Sequence, residues 1–308
     1  MLKFRWMQIL LFIVIAGLTA SQLSSQLVGM KALAAAESLA TATAQDHDKQ
    51  KDHDKHKDKD KHKDGHKGDH RNYDESEFTE KDEVRQTYQL TPGATVKVSG
   101  INGAVEVETA SGSTAEVHIV RSARNRADLE HRKIIIEHTG ASLVVRGEND
   151  NEKRYGRGEN PQVRQRVTLR LPRQIDFTAS GVNGKTTVGE IDGPVKISGI
   201  NGKVEVAQAV GYSELSGING SVIVTIAQLG ERGLRVSGIN GAVELRFADA
   251  LNADLKVTGI NGSVSADMPN VSVLGTVSRS NFNARIGAGG APINVSGVNG
   301  RVRLSPRS

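Results

Sequence analysis

Val98-Ser99-Gly100-Ile101-Asn102-Gly103 is a phrase that the chain repeats to its end. The asparagine returns at Asn183, Asn201, Asn219, Asn240, Asn261 and Asn299. The copies read SGING (Ser99, Ser198, Ser216, Ser237), TGING (Thr258) and SGVNG (Ser180, Ser296). A degenerate eighth copy, Val277 to Ile286, carries Asn281 in the asparagine slot. From Asn183 the spacings are 18, 18, 21, 21, 20 and 18. A period near 20 marks a stacked repeat, in which each unit is too small to bury its own core.

Working outward, the flanks alternate. Val96-Lys97-Val98, Val195-Lys196-Ile197, Leu234-Arg235-Val236 and Leu255-Lys256-Val257 precede the motif. Val105 and Val107, Val204 and Val206, Val222 and Val224, Val243 and Leu245, and Val302 and Leu304 follow it. Alternation with β-branched residues predicts half-buried strands on both sides of a sharp corner. A second apolar position recurs mid-repeat at Ile191, Val210, Leu229, Leu251 and Leu274, usually before a turn-forming residue, and predicts a second corner.

Asn-Gly between alternating strands is also a hairpin signal, which would give an antiparallel meander. The residue before the asparagine argues for the alternative. In a two-residue hairpin it would share the outward face with Lys97 and Ser99, yet it is Ile or Val in all seven full copies. An inward corner slot explains this more simply. The expected fold is therefore all-β, a β-solenoid or parallel β-helix-like rod of ~20-residue repeats. A ladder of Asn102, Asn183, Asn201, Asn219, Asn240, Asn261, Asn281 and Asn299 would run along it.

The SGING corners, the Val-x-Val strands, the Thr91-Pro92-Gly93-Ala94 turn and the strand Val167–Pro172 resemble the bacterial putative-adhesin β-strand-repeat domains. That family, of unknown function, is similar to the "head GIN" domains of putative autotransporter adhesins. The resemblance covers residues 84 to 308 and implies the fold and an adhesin-like role, the latter by analogy of fold alone.

The remainder of the 308 residues divides in two. Residues 1–36 pair a positive start (Lys3, Arg5) with the apolar run Met7 to Ala20 and small-residue cleavage sites such as Ala32-Leu33-Ala34. They read as a secretory signal peptide, the alternative being an uncleaved anchor; both send the rest of the chain to the periplasm or cell surface. Residues 37–83 read as a disordered low-complexity linker. Within it, positions 46–70 hold eight Asp, eight Lys and six His and no apolar residue, so they cannot fold onto a core. His47, His53, His56, His62, His66 and His70 could take Zn, Ni or Cu weakly, with Asp oxygens as secondary ligands. Their irregular spacing fixes no single tetrahedral site, and a solvated spacer is the plainer reading. No other cofactor is expected.

Cysteine is absent, which excludes disulfides, thiolate metal sites and a cysteine nucleophile. Between the first two motif copies, strands are expected at Ala115–Arg121, Lys133–His138, Ser142–Arg146 and Val163–Leu171, with a charged loop or short helix over 121–132. Residues 121–173 carry 13 Lys/Arg against 7 Asp/Glu, a basic stretch that could meet an anionic polymer or membrane. On the repeats, the basic slot before the motif and the acidic slot after it read as solubility and edge protection. In the degenerate copy, an exposed Phe282 between Arg279 and Arg285 is the most binding-like spot of the rod.

No GxSxG, HExxH or phosphate loop occurs, and no carboxylate pair is spaced for acid–base work, so no enzyme is expected. The expected partner is a surface polymer, a glycan or an envelope protein. Nucleic acid is not expected, and membrane contact is expected only through an uncleaved N-terminus. A metal-binding role of the histidine tract and a carbohydrate-active β-helix enzyme are the competing functions.

Overall fold

The computed structural model describes residues 78–149, 162–208, 211–274 and 281–307. Each corner motif joins two strands. Those before it are β2 (Ala94–Ser99), β8 (Ile175–Val182), β10 (Val195–Asn201), β12 (Ser213–Asn219) and β14 (Leu234–Asn240). Those after it are β3 (Gly103–Ala110), β9 (Thr186–Ile191), β11 (Val204–Gln208), β13 (Val222–Ile226) and β15 (Val243–Phe247). In two long strands, β16 (Ala253–Ala266) and β19 (Ala291–Pro306), pairing continues across the corner, whose glycines keep the positive φ of the other copies.

Pairing is parallel and in register, so equivalent residues of the repeats lie side by side. The first wall runs β2–β8–β10–β12–β14–β19–β16. The second runs β3–β9–β11–β13–β15–β19–β16. The inward residues of both walls form one core, from Val96 and Val105 at one end to Leu255 and Val302 at the other. Ile101, Ile200, Ile218 and Ile239 are each 1% exposed, so the apolar slot before the asparagine points inward. The antiparallel meander is thereby replaced by parallel stacking.

The two motif glycines serve different needs. Gly217 has φ near +58°, a left-handed conformation in which a side chain crowds its own backbone. Gly220 has φ +152°, and a Cβ there would be driven into the carbonyl oxygen of Gly202 on the neighbouring strand. The first glycine turns the chain; the second lets adjacent turns stack at strand spacing.

Chain order and spatial order part company at the C-terminal end. The last motif copy, on β19, lies between β14 and β16, so the sixth copy is outermost. The degenerate copy is not a rung. Its strand β18 (Asn281–Ile286) runs antiparallel to the first half of β16, and β17 (Val271–Val273) pairs antiparallel with β18. Leu274, read as a second-corner position, is 41% exposed and lies on this edge hairpin, where its amide donates to the Asn283 carbonyl.

The opposite end is also antiparallel. In the first wall, β6 (Ser142–Asn149) joins β2 in parallel and β5 (Arg132–Thr139) pairs antiparallel with β6. In the second, β7 (Val163–Pro172) joins β3 in parallel, and β4 (Thr114–Ala123) and β1 (Glu80–Gln89) follow it antiparallel. The only helix among the described residues, α1 (Arg126–His131), falls in the charged stretch; the Asn125 side chain accepts from the Asp128 amide to start it. β1 opens at Glu80, inside the stretch read as linker, because its first residues pair with the far end of β4.

Candidate functional site

The corner carries a continuous amide ladder. Asn183 Nδ2 donates to Asn102 Oδ1, Asn201 to Asn183, Asn219 to Asn201, Asn240 to Asn219, Asn299 to Asn240 and Asn261 to Asn299, all at 3.0–3.2 Å. At the first end Asn102 Nδ2 donates to the Val163 carbonyl, and the Asn102 amide donates to the buried Gln165 side chain. Asn281 stands apart from the ladder, paired with Thr258 across the antiparallel edge. Beside the ladder lies a hydroxyl column: Ser99, Ser180, Ser198, Ser216, Ser237, Ser296 and Thr258.

Two residues before the hydroxyls, the outer face of the first wall carries a third column. It reads Lys97, Thr178, Lys196, Glu214, Arg235, Asn294, Lys256. A cation therefore occupies every second strand, about 9–10 Å apart for a strand spacing of ~4.8 Å. The insertion of β19 makes this regular. In chain order Arg235 and Lys256 would have been neighbours, and Asn294 separates them. All four cations are exposed, and among the described residues none has a carboxylate within ion-pair distance. Nearby, Arg232 stacks on the Tyr212 ring at 4.5 Å. Burial raises the Tyr212 hydroxyl above its ordinary range, with Glu214 adding to the effect.

The second wall differs. Its outer column reads Glu106, Thr187, Glu205, Ile223, Glu244, Arg303, Ser265. Here charges are mostly paired. Glu205 binds Lys185 at 2.8 Å and also Lys203, Glu244 binds Arg246 at 3.0 Å, and Arg303 binds Asp267 at 2.8 Å. Hydrogen bonds from Lys185 and Lys203 hold Glu205 below the usual carboxylate range, and Arg246 does the same to Glu244. Carboxylates held ionised in this way are poor general acids. The shallow groove above them, about 430 Å³, is lined by Glu106, Glu108, Glu205 and Arg246 among small residues. Among the described residues, no group of three or more His, Asp or Glu is placed to hold a metal ion.

The basic stretch 121–173 is less available than its charge implies. Arg121 is held by Asp82 and by the Leu129 and Arg132 carbonyls. Arg126, Arg146, Arg170 and Arg173 each have a carboxylate partner. A depression of about 520 Å³ beside it is lined by Lys81, His118 and Arg166, with Arg164 stacked on Phe78 at 4.2 Å and His118 held by Glu83 at 2.9 Å.

Phe282, expected to be exposed, is 8% exposed and packs in the core opposite Val257. The antiparallel course of β18 turns it inward, and Arg285 meets Asp254 at 3.5 Å. Arg279 and the six tract histidines (His47, His53, His56, His62, His66, His70) lie outside the described residues. The cation column was visible in sequence only as a recurring basic slot. Its even spacing depends on where β19 inserts, which no periodicity announces.

No family model matches the chain, and no curated protein does. Solved structures to which the chain is similar include a "putative cell adhesion protein" from Clostridium sporogenes, 10% identical, with TM-score 0.36, covering 73% of this chain and 100% of that one. A "putative adhesin" from Bacteroides fragilis is 9% identical with TM-score 0.30, covering 72% and 97%. Another from Parabacteroides merdae is 13% identical with TM-score 0.24, covering 73% and 96%.

Proposed function

We propose that this chain is an exported, non-enzymatic, adhesin-like binding module of the cell envelope. The bent sheet is read as a short β-solenoid over residues 84–308, led by β1 and tethered through the linker 37–83. The observation that carries this reading is the outer face of the first wall. There amides, hydroxyls and unpaired cations repeat in columns set by strand register, while Glu205 and Glu244 of the second wall sit in ion pairs. A surface ordered in this way suits an extended repetitive ligand better than a small substrate, which needs a concave pocket. Export rests on the positive-then-apolar segment 1–36. Among the described residues no helix is long and apolar enough to cross a membrane.

The test is binding to isolated bacterial envelopes, together with zinc calorimetry, on the chain with and without residues 46–70. Envelope binding that survives the deletion supports the module. Tight, saturable zinc binding that vanishes with the deletion, without envelope binding in either form, moves the function to the histidine tract.

A further inference from the structure

The charge of the first wall is more specific than a basic surface. Lys97, Lys196, Arg235 and Lys256 share one register position across seven parallel strands, and they alternate with Thr178, Glu214 and Asn294. Parallel in-register pairing fixes the interval at two strands, ~9.6 Å, with little room for drift. The residues on either side of each cation along its strand are core residues, such as Val96 and Val98 for Lys97 and Val195 and Ile197 for Lys196. The side chains therefore stand on a rigid base. The hydroxyl column runs parallel to them, and the exposed asparagine ladder lies beyond it.

We propose that this face binds a linear acidic polysaccharide that carries one negative charge per two sugars, laid along the column across the strands. Resting on the binding-module reading above, the proposal gives it a ligand class. An extended chain of alternating neutral and uronate or sulfate-bearing sugars repeats its charge at an interval of the same order as two strands. The neutral sugars would lie over Thr178 and Asn294, whose side chains hydrogen-bond without charge. Glu214 sits at the one interval that carries an acid. It disfavours a polymer charged on every sugar more than one charged on alternate sugars. The Ser and Asn columns offer donors and acceptors to hydroxyl groups along the same line.

Exposed ion pairs are individually weak and are screened over about 8 Å at physiological salt. A single acidic sugar should therefore not bind measurably. A chain that engages all four cations gains through linkage, because each further contact forms at high effective concentration. The geometry sets a length limit: affinity should climb until four charges are engaged, and beyond that only with the number of possible registers.

The experiment uses the full chain and hyaluronan fragments of increasing length, with glucuronate and neutral dextran alongside, at low and physiological salt. A variant with Lys97→Gln, Lys196→Gln, Arg235→Gln and Lys256→Gln is compared with one that neutralises Lys55, Lys57, Lys59 and Lys61 of the linker. Both remove four charges, and all four wall residues are exposed, so an unchanged circular dichroism spectrum verifies the fold. The expected results are no glucuronate or dextran binding, a rise in affinity that levels off at four charges, and a loss of about tenfold or more in the wall variant only. Equal losses in the two variants overturn the proposal, as does uptake by anionic lipid vesicles, dependent on the wall residues, without binding of the fragments. Envelope binding measured in parallel separates the two readings. If the wall variant still binds envelopes as the native chain does, the polysaccharide column fails and the binding module stands. If neither form binds envelopes or fragments, both fail.

Discussion

The two outer faces are built from the same repeats and meet at the same corner, yet they differ in how far their charges are paired. The second wall pairs its ions: Glu205 sits between Lys185 and Lys203, Glu244 against Arg246, Arg303 against Asp267. The first wall places a cation on every second strand, with no carboxylate within ion-pair distance among the described residues and Glu214 in the slot between Lys196 and Arg235. In-register stacking would put like charges ~4.8 Å apart; both walls avoid this by setting like charges on every second strand, and the second wall in addition pairs Glu205 and Glu244 with cations. Pairing leaves the surface electrostatically quiet. Spacing without pairing leaves the first wall attractive to an anion with the matching interval. A repeat fold can thus give one face to stability and the other to recognition without changing its backbone.

The most severe way to break the comparison is to break the corner that both faces share. Gly220→Ala should cost several kcal/mol, since its Cβ meets the Gly202 carbonyl oxygen and φ is +152°. Gly217→Ala, with φ +58° and its nearest neighbour atom at 3.7 Å, should cost only about 1–2 kcal/mol. Urea unfolding of the two variants checks the order. Ile218→Ala, which empties an inward corner slot, should cost about 2–5 kcal/mol.

A smaller effect is expected from the ladder. Asn219 donates to Asn201 and accepts from Asn240. Asn219→Ala should cost about 1 kcal/mol, because the residue is exposed and water replaces part of what is lost. Asn219→Asp should cost more at neutral pH, since it loses the donor and sets a carboxylate against the Asn201 carbonyl oxygen. Thermal melts of the two variants rank them.

The smallest effect separates the faces themselves. Glu205 is held below its ordinary range in the folded chain, so its ion pairs stabilise the fold above the ordinary carboxylate range. That contribution disappears as pH falls through the depressed value. Glu205→Gln should flatten the acid limb of the stability profile by no more than about 1 kcal/mol. Lys196→Gln should leave the limb unchanged, because no carboxylate depends on it. Equal effects would mean that the two walls do not differ in pairing.

Much of the architecture was legible in the sequence for a physical reason. Two residues per strand repeat face inward, so Val96-Lys97-Val98 and its relatives declare strand and face together. The apolar residue before each asparagine distinguished an inward corner from a hairpin. The ends were not legible. Their strands pair antiparallel, a choice made by tertiary contacts rather than by alternation, which looks the same in both directions. The degenerate copy shows the cost of extending a period too far. Phe282 shares the motif's place in the sequence, but β18 runs the other way and points it into the core. The position of β19 was equally hidden, because its motif is as regular as the others and fits next to any of them. The even spacing of the cation column follows from that position, so the sequence indicated basic slots but not their interval.

The order of strands at the C-terminal end is therefore the central claim, and the absence of native cysteine makes it directly measurable. Ser237 on β14 lies beside Ser296 on β19, with Thr258 on β16 one strand further. Adjacent strands at ~4.8 Å fall within the Cα separation a disulfide spans, about 4.4–6.8 Å, and two strands at ~9.6 Å do not. Under mild oxidation, with products read by mass spectrometry, Ser237→Cys with Ser296→Cys should cross-link rapidly and Ser237→Cys with Thr258→Cys should not. The reverse result, a bond between positions 237 and 258 only, would mean that the copies stack in chain order and that the evenly spaced cation column does not exist.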